Sequence, residues 1–131
     1  MPPKPVPNEL SAAFWNALEK DGKLTVPECV SCGGRFFVPE PLCPYCGSGD
    51  WRWVNSQGIG SVYSFTVVHQ TVSPDQPTPF VLAIVELDDG WSMLTHVVDC
   101  EVDSVHVGTK VRVSPRRYDN GATLPTFVLA E

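Results

Sequence analysis

The apolar positions change period along the chain. Between Asn8 and Lys20, Leu10, Phe14, Trp15 and Leu18 recur at helical spacing and share one stripe, which predicts an amphipathic helix. Asn8 or Ser11 offers a cap at its start, and Gly22 a stop after Lys20. Beyond Gly58 the pattern is that of strands. "GIGSVYSFTVVHQ" (Gly58 to Gln70) is rich in β-branched and aromatic residues. "FVLAIVEL" (Phe80 to Leu87) is a continuous apolar run of the length of a buried strand. "WSMLTHVV" (Trp91 to Val98) follows across the turn signal Asp88-Asp89-Gly90. "GTKVRVSP" (Gly108 to Pro115) and "TLPTFVLA" (Thr123 to Ala130) add two strands around Asp119 to Gly121, making five in all.

Five strands with an insertion after the third, here Asp99 to Val107 as a short helix or a loop, are the layout of an OB-fold barrel. The fold class is therefore mainly β: an N-terminal helix, a cysteine module, then a five-stranded barrel. The division expected is 1–23 for a proline-rich tail and the helix, 24–53 for the cysteine module and 54–131 for the barrel. Pro74, Pro77 and Pro79 crowd the connection between the first two barrel strands, a place where OB-folds commonly bind ligands or partners. The helix stripe must be covered too, either by this chain or by the groove of a partner. Phe14 and Trp15 are the docking candidates in the second case.

Length and charge narrow the classes. A chain of 131 residues leaves little room for a self-sufficient enzyme beside a ribbon and a barrel. No apolar run is long enough for a membrane span, and "MPPKPVPNEL" has no signal-peptide pattern, so a soluble cytoplasmic protein is expected. Nine Lys and Arg against fifteen Asp and Glu give a net charge of −6. That balance counsels against generic nucleic-acid binding, although Arg112, Arg116 and Arg117 form a local basic patch.

The densest chemical signal is "CVSCGGRFFVPEPLCPYCG". Cys29 and Cys32, then Cys43 and Cys46, give C-x2-C-x10-C-x2-C, each pair followed by glycine. Two such turns face to face build a tetrahedral four-sulfur cage, the set Zn2+ favours. Four protein ligands close the coordination shell, so the metal predicted is structural and contributes folding free energy. The turn "CPYCG" also suits a single iron, and softness and tetrahedral geometry do not separate the two metals. A dithiol oxidoreductase would present one such pair on a βαβ frame, and disulfides are a minor reading in a reducing compartment.

The order "FWNAL…DGKL…CVSCGGRFFVPEPLCPYCGS…WRWVNSQGIGSVYSFTVVH…PFVLAIVELDDGWSMLTHVV…VGTKVRV…LPTFV" resembles the family of small acyl-CoA-associated proteins that join a helix, a rubredoxin-like zinc ribbon and an OB-fold. The resemblance runs from about Leu10 to Val128. One departure is Pro39-Glu40-Pro41, where members of that family often carry proline-proline-arginine, so no role passes to an arginine there. The resemblance implies an accessory subunit in a hetero-oligomer with a thiolase-like protein: a thiolase, acyltransferase or aldolase. The partner would supply the reacting groups, and acyl-CoA would be the substrate of the complex. Phe65, His69, Pro79 and Phe80 are the candidates for its ligand channel, and no catalytic residue is assigned. A single-stranded nucleic-acid module is the alternative, with Trp51 and Trp53 as its stacking platform.

Several residues invite overreading. His69 has a bland role as a strand-end histidine, and His96 and His106 are blander still. Cys100, the fifth thiol, is expected to behave as a small hydrophobe. Asp88 and Asp89 belong to a turn, where paired carboxylates are usually solvated.

Overall fold

The computed structural model describes residues 5–71 and 77–130. Pro74 and the first four residues of the proline-rich start lie outside them, whereas Pro77 and Pro79 lie inside. Helix α1 spans Ala12–Asp21, starting later than its stripe suggests because a turn precedes it. Both cap candidates serve that turn: the Asn8 N–H donates to Ser11 Oγ at 3.1 Å and the Ser11 N–H to Asn8 Oδ1 at 2.9 Å. At the other end Gly22 takes φ 64°, which turns its N–H back to the Leu18 carbonyl and that of Lys23 to Ala17.

The cysteine module is closed by two strands that the apolar pattern does not mark, β1 (Thr25–Cys29) and β2 (Trp51–Asn55). They pair antiparallel from Thr25 opposite Asn55 to Cys29 opposite Trp51. Pro27 sits inside β1, which is tolerated because both strands of a two-stranded sheet are edges.

The barrel follows: β3 (Ile59–Val68), β4 (Phe80–Leu87), β5 (Trp91–Val97), β6 (Lys110–Val113), β7 (Arg116–Arg117), β8 (Thr123–Leu124) and β9 (Phe127–Leu129). It closes in the order β3-β4-β5-β9-β6, with β5 and β9 parallel through Val97 and Phe127. A single 3-10 turn, Val102–Ser104, occupies the connection between β5 and β6. Two strand expectations need correction. The segment Thr123 to Ala130 is broken in two at Pro125, which has no N–H for a ladder; its first half pairs with Arg116–Arg117 and only its second half enters the barrel. Phe80 to Leu87 is not buried along its whole length: Val81, Ala83, Val85 and Leu87 point inward, and Ile84 is exposed beside its cross-strand partner Leu94. A barrel wall has an inside and an outside, whatever the strand's composition.

Phe14 and Leu18 of α1, Leu24 and Val26 of the ribbon base, and Val62, Val85, Val111 and Phe127 of the barrel form one buried cluster. The helix stripe is therefore covered by this chain. Phe14 is 2% exposed and meets Trp15 at 5.0 Å, Phe37 at 5.0 Å and Trp53 at 6.2 Å between ring centroids. That corrects the assignment of Phe14 as a docking residue; Trp15 stays half-buried. Among the described residues no helix is long and apolar enough to cross a membrane.

Candidate metal centre and ligand surface

Each cysteine pair is a tight turn closed by its own backbone. The Gly33 N–H donates to the Cys29 carbonyl and the Gly47 N–H to the Cys43 carbonyl, both at 2.9 Å. Both glycines are left-handed, with φ 74° and 79°, a conformation that side chains other than hydrogen make costly. The turn then aims further N–H groups at sulfur: Gly34 donates to Cys32 Sγ and Tyr45 to Cys43 Sγ, each at 3.4 Å. Such donors stabilise thiolates.

The two turns bring all four sulfurs within 4.8 Å of one another. Cys29 and Cys46 Sγ are 3.6 Å apart, and Cys32 and Cys43 Sγ 3.7 Å. Four sulfurs placed tetrahedrally around zinc at its usual bond length lie about 3.8 Å apart, so the cage fits the ion as it stands. When bound, the ion ties the two turns together as a structural centre with no position left for substrate.

Without metal the crowded thiols split. The Cys32 backbone N–H lowers the Cys29 thiol to about 7, against the effect of burial. At Cys46 the Ser48 N–H pulls downward, but the Cys29 thiol, burial and the Cys32 and Cys43 thiols outweigh it and push the group up to about 12. Negative charge cannot accumulate on adjacent sulfurs unless a cation neutralises it.

Aromatic rings seat the cage. Phe36 is buried against Cys29 and Cys43, with Trp51 edge-on at 5.8 Å and Trp53 a further 5.6 Å on. Trp51 and Trp53 thus pack within the ribbon and onto Phe14 of the helix. Arg35, between the turns, donates through Nε to Glu28 Oε2 at 3.0 Å and reaches Asp89 of the β4–β5 turn with Nη1. Asp89 is also the acceptor for Ser56 Oγ and Trp91 Nε1. The expected solvated pair therefore divides: Asp88 is exposed and Asp89 is partnered.

The four ligand-channel candidates do not share one surface. Pro79 and Phe80 line a cavity of about 220 Å3 with His96, Cys100, Arg116 and Tyr118. Phe65 packs against the barrel core, and His69 is exposed just past the end of β3. The imidazole in the cavity is that of His96, tilted against Phe80 with ring centroids 4.9 Å apart and lowered in pKa by burial. Its alternation on β5 could have placed it on the outer wall beside Leu82, its register partner. Arg116 pairs there with Asp99, a residue at φ 59°, so part of the C-terminal basic patch is neutralised. Burial, then Asp99 and Glu101, raise the Cys100 thiol, which keeps it protonated and a poor nucleophile.

Comparison with known proteins bears on both modules. Residues 17–52 match a family model described as the ChsH2 rubredoxin-like zinc ribbon domain, and residues 53–116 match the ChsH2 C-terminal OB-fold domain. A probable enoyl-CoA hydratase alpha subunit of Thermomonospora curvata is 36% identical over 125 residues, covering 95% of this chain but 39% of that protein. A DUF35 domain-containing scaffold protein of Methanothermobacter thermautotrophicus is 30% identical over 105 residues, 79% of each. Among solved structures, a chain of the Ltp2-ChsH2(DUF35) aldolase superposes with a TM-score of 0.87 and 34% identity, covering 98% of this chain and all of that one.

Proposed function

Since the chain belongs to the ChsH2 (DUF35) family of rubredoxin-like zinc ribbons joined to OB-folds, we propose that it is an accessory, non-catalytic or co-catalytic subunit of a thiolase-like enzyme acting on acyl-CoA. In this role it stabilises the complex and completes the acyl-CoA site. The observation that carries the reading is the likeness, over the whole of both chains, to a component of an assembly named as an aldolase. The hydratase alpha subunit supports an acyl-CoA substrate. It is far longer than this chain, so its own activity does not transfer with the matched part. The chemistry of this chain is consistent with a supporting role: a closed four-cysteine shell offers no Lewis-acid position, and Cys100 is held as a thiol.

Of the four channel candidates we keep Pro79 and Phe80, and assign the ligand channel to the cavity they line together with His96. Its apolar wall suits an acyl or pantetheine segment. The test is to tag the chain in its native source, identify the bound protein, and assay acyl-CoA turnover by that protein with and without the chain. A thiolase-superfamily subunit whose turnover improves with the chain supports the reading. Turnover by the isolated chain alone, or a bound protein with no acyl-CoA chemistry, overturns it.

A further inference from the structure

With its helix stripe buried internally, the chain must meet a partner elsewhere, and the cleft between ribbon and barrel has the right shape. It is an open groove of about 900 Å3 between the Arg35 to Tyr45 segment and the β4–β5 hairpin. Phe36, Phe37 and Trp91 form its apolar floor. At its ribbon rim Val38 is 65% and Tyr45 66% exposed, which leaves apolar surface open beside the floor. The Tyr45 hydroxyl donates to the Arg35 carbonyl at 3.0 Å, so the ring is already fixed and loses little entropy when covered. A shallower depression around Pro41 and Leu42 continues the surface, sharing Glu40 and Pro44 with the groove.

The charge of the groove selects the occupant. Glu40, Glu86 and Asp88 line it and are exposed, and none pairs with a cation among the described residues. Its one guanidinium, Arg35, is spent on Glu28 and Asp89. Polyanions such as nucleic acid or the phosphates of CoA are repelled, and so is a second copy of a chain with net charge −6. Resting on the reading of this chain as an enzyme subunit, we propose that the groove is the docking site for a segment of the partner enzyme that carries Lys or Arg on either side of an apolar residue. The apolar residue covers the floor beside Tyr45, and the cations meet the three carboxylates and the Tyr45 ring.

The assay uses the full zinc-loaded chain and the enzyme subunit that copurifies with it. Replacing Glu86→Lys together with Asp88→Lys should weaken the complex at least about tenfold, mainly by slowing association. The milder set Glu40→Gln, Glu86→Gln and Asp88→Asn should remove most of the salt dependence of binding while leaving the melting temperature close to that of the unaltered chain. Carbodiimide coupling should join Glu86 or Asp88 to partner lysines. If both variants are folded and bind with unchanged affinity, the docking site is refuted and the enzyme-subunit reading survives. If no acyl-CoA enzyme copurifies, that reading falls, and the groove is judged alone by titrating the labelled chain with acetyl-Lys-Leu-Lys-Leu-Lys-amide. NMR shifts at Tyr45, Ser61 and Ser92, absent with the glutamate analogue, support a basic-segment site; shifts elsewhere or none refute it.

Discussion

Arg35 in the zinc ribbon and Asp89 in the barrel are 2.6 Å apart, Nη1 to Oδ2, joining two modules separated by 54 positions in sequence. Their side chains are 22% and 12% exposed, and each has a further partner, Glu28 for Arg35 and Ser56 and Trp91 for Asp89. A pair this sheltered and this fully hydrogen-bonded differs from a surface ion pair, whose worth is usually small. It bridges the ribbon and the β4–β5 hairpin, with Arg35 itself in the lining of the groove between them.

The first prediction concerns that junction. Arg35→Ala, Asp89→Ala and the double variant, compared by urea denaturation, should give a coupling energy of about 1–3 kcal/mol, because removing one member leaves the other with unmet hydrogen bonds. Additive effects of the two single changes would mean that the junction is held by apolar packing alone.

Much of the architecture is legible in the sequence, because periodicity and turn chemistry are local. The limits of β4 coincide with the apolar run Phe80 to Leu87, and the zinc cage follows from the spacing of Cys29, Cys32, Cys43 and Cys46. What could not be read depends on partners distant in sequence. Strand β1 exists because Trp51 to Asn55 return to it, and its own five residues, Pro27 among them, do not announce it. Asp89 looks like an ordinary turn acid until Arg35 arrives from the ribbon. Phe14 looks like a docking residue until Phe37 and Trp53 close over it. His96 reads as an ordinary strand histidine because nothing in its neighbourhood along the chain reveals Phe80 at its side.

The zinc cage makes a prediction about protons. Zinc binds thiolates, so loading displaces whatever protons the free thiols carry. With Cys29 lowered to about 7, that thiol is mostly protonated at pH 6 and mostly ionised at pH 8. Titration calorimetry in buffers of differing ionisation enthalpy should therefore count about one proton fewer released per zinc at pH 8 than at pH 6. A count that does not change across this range would show that Cys29 is not the early-ionising ligand. Cys43→Ser should abolish stable zinc uptake and unfold the ribbon; full zinc content in that variant would contradict a four-sulfur site.

Phe14 and Trp15 are neighbours on helix α1 but differ in burial, and so in what their loss should cost. Phe14→Ala opens a cavity where helix, ribbon and barrel share one core, and should cost about 3–5 kcal/mol. Trp15→Ala removes a half-buried ring from the helix surface and should cost less. Chemical denaturation checks both values, and equal losses would mean that Trp15 is as much a part of the core as its neighbour.

His96 gives the fold a pH dependence of known sign. Burial lowers its pKa below the ordinary value of 6.5, so the unfolded chain binds this proton more readily than the folded one. Stability from this group is complete above pH 6.5 and is lost as pH falls from there through the lower folded value. On acidification the imidazole must either charge while packed against Phe80 or leave its place beside the cavity. His96→Gln should therefore flatten the decline in stability between about pH 6.5 and pH 5 while changing little at pH 8. Melting temperatures measured across that range check it. If the variant retains the full acid dependence of the unaltered chain, the groups responsible lie elsewhere, and His96 is solvated enough to titrate freely.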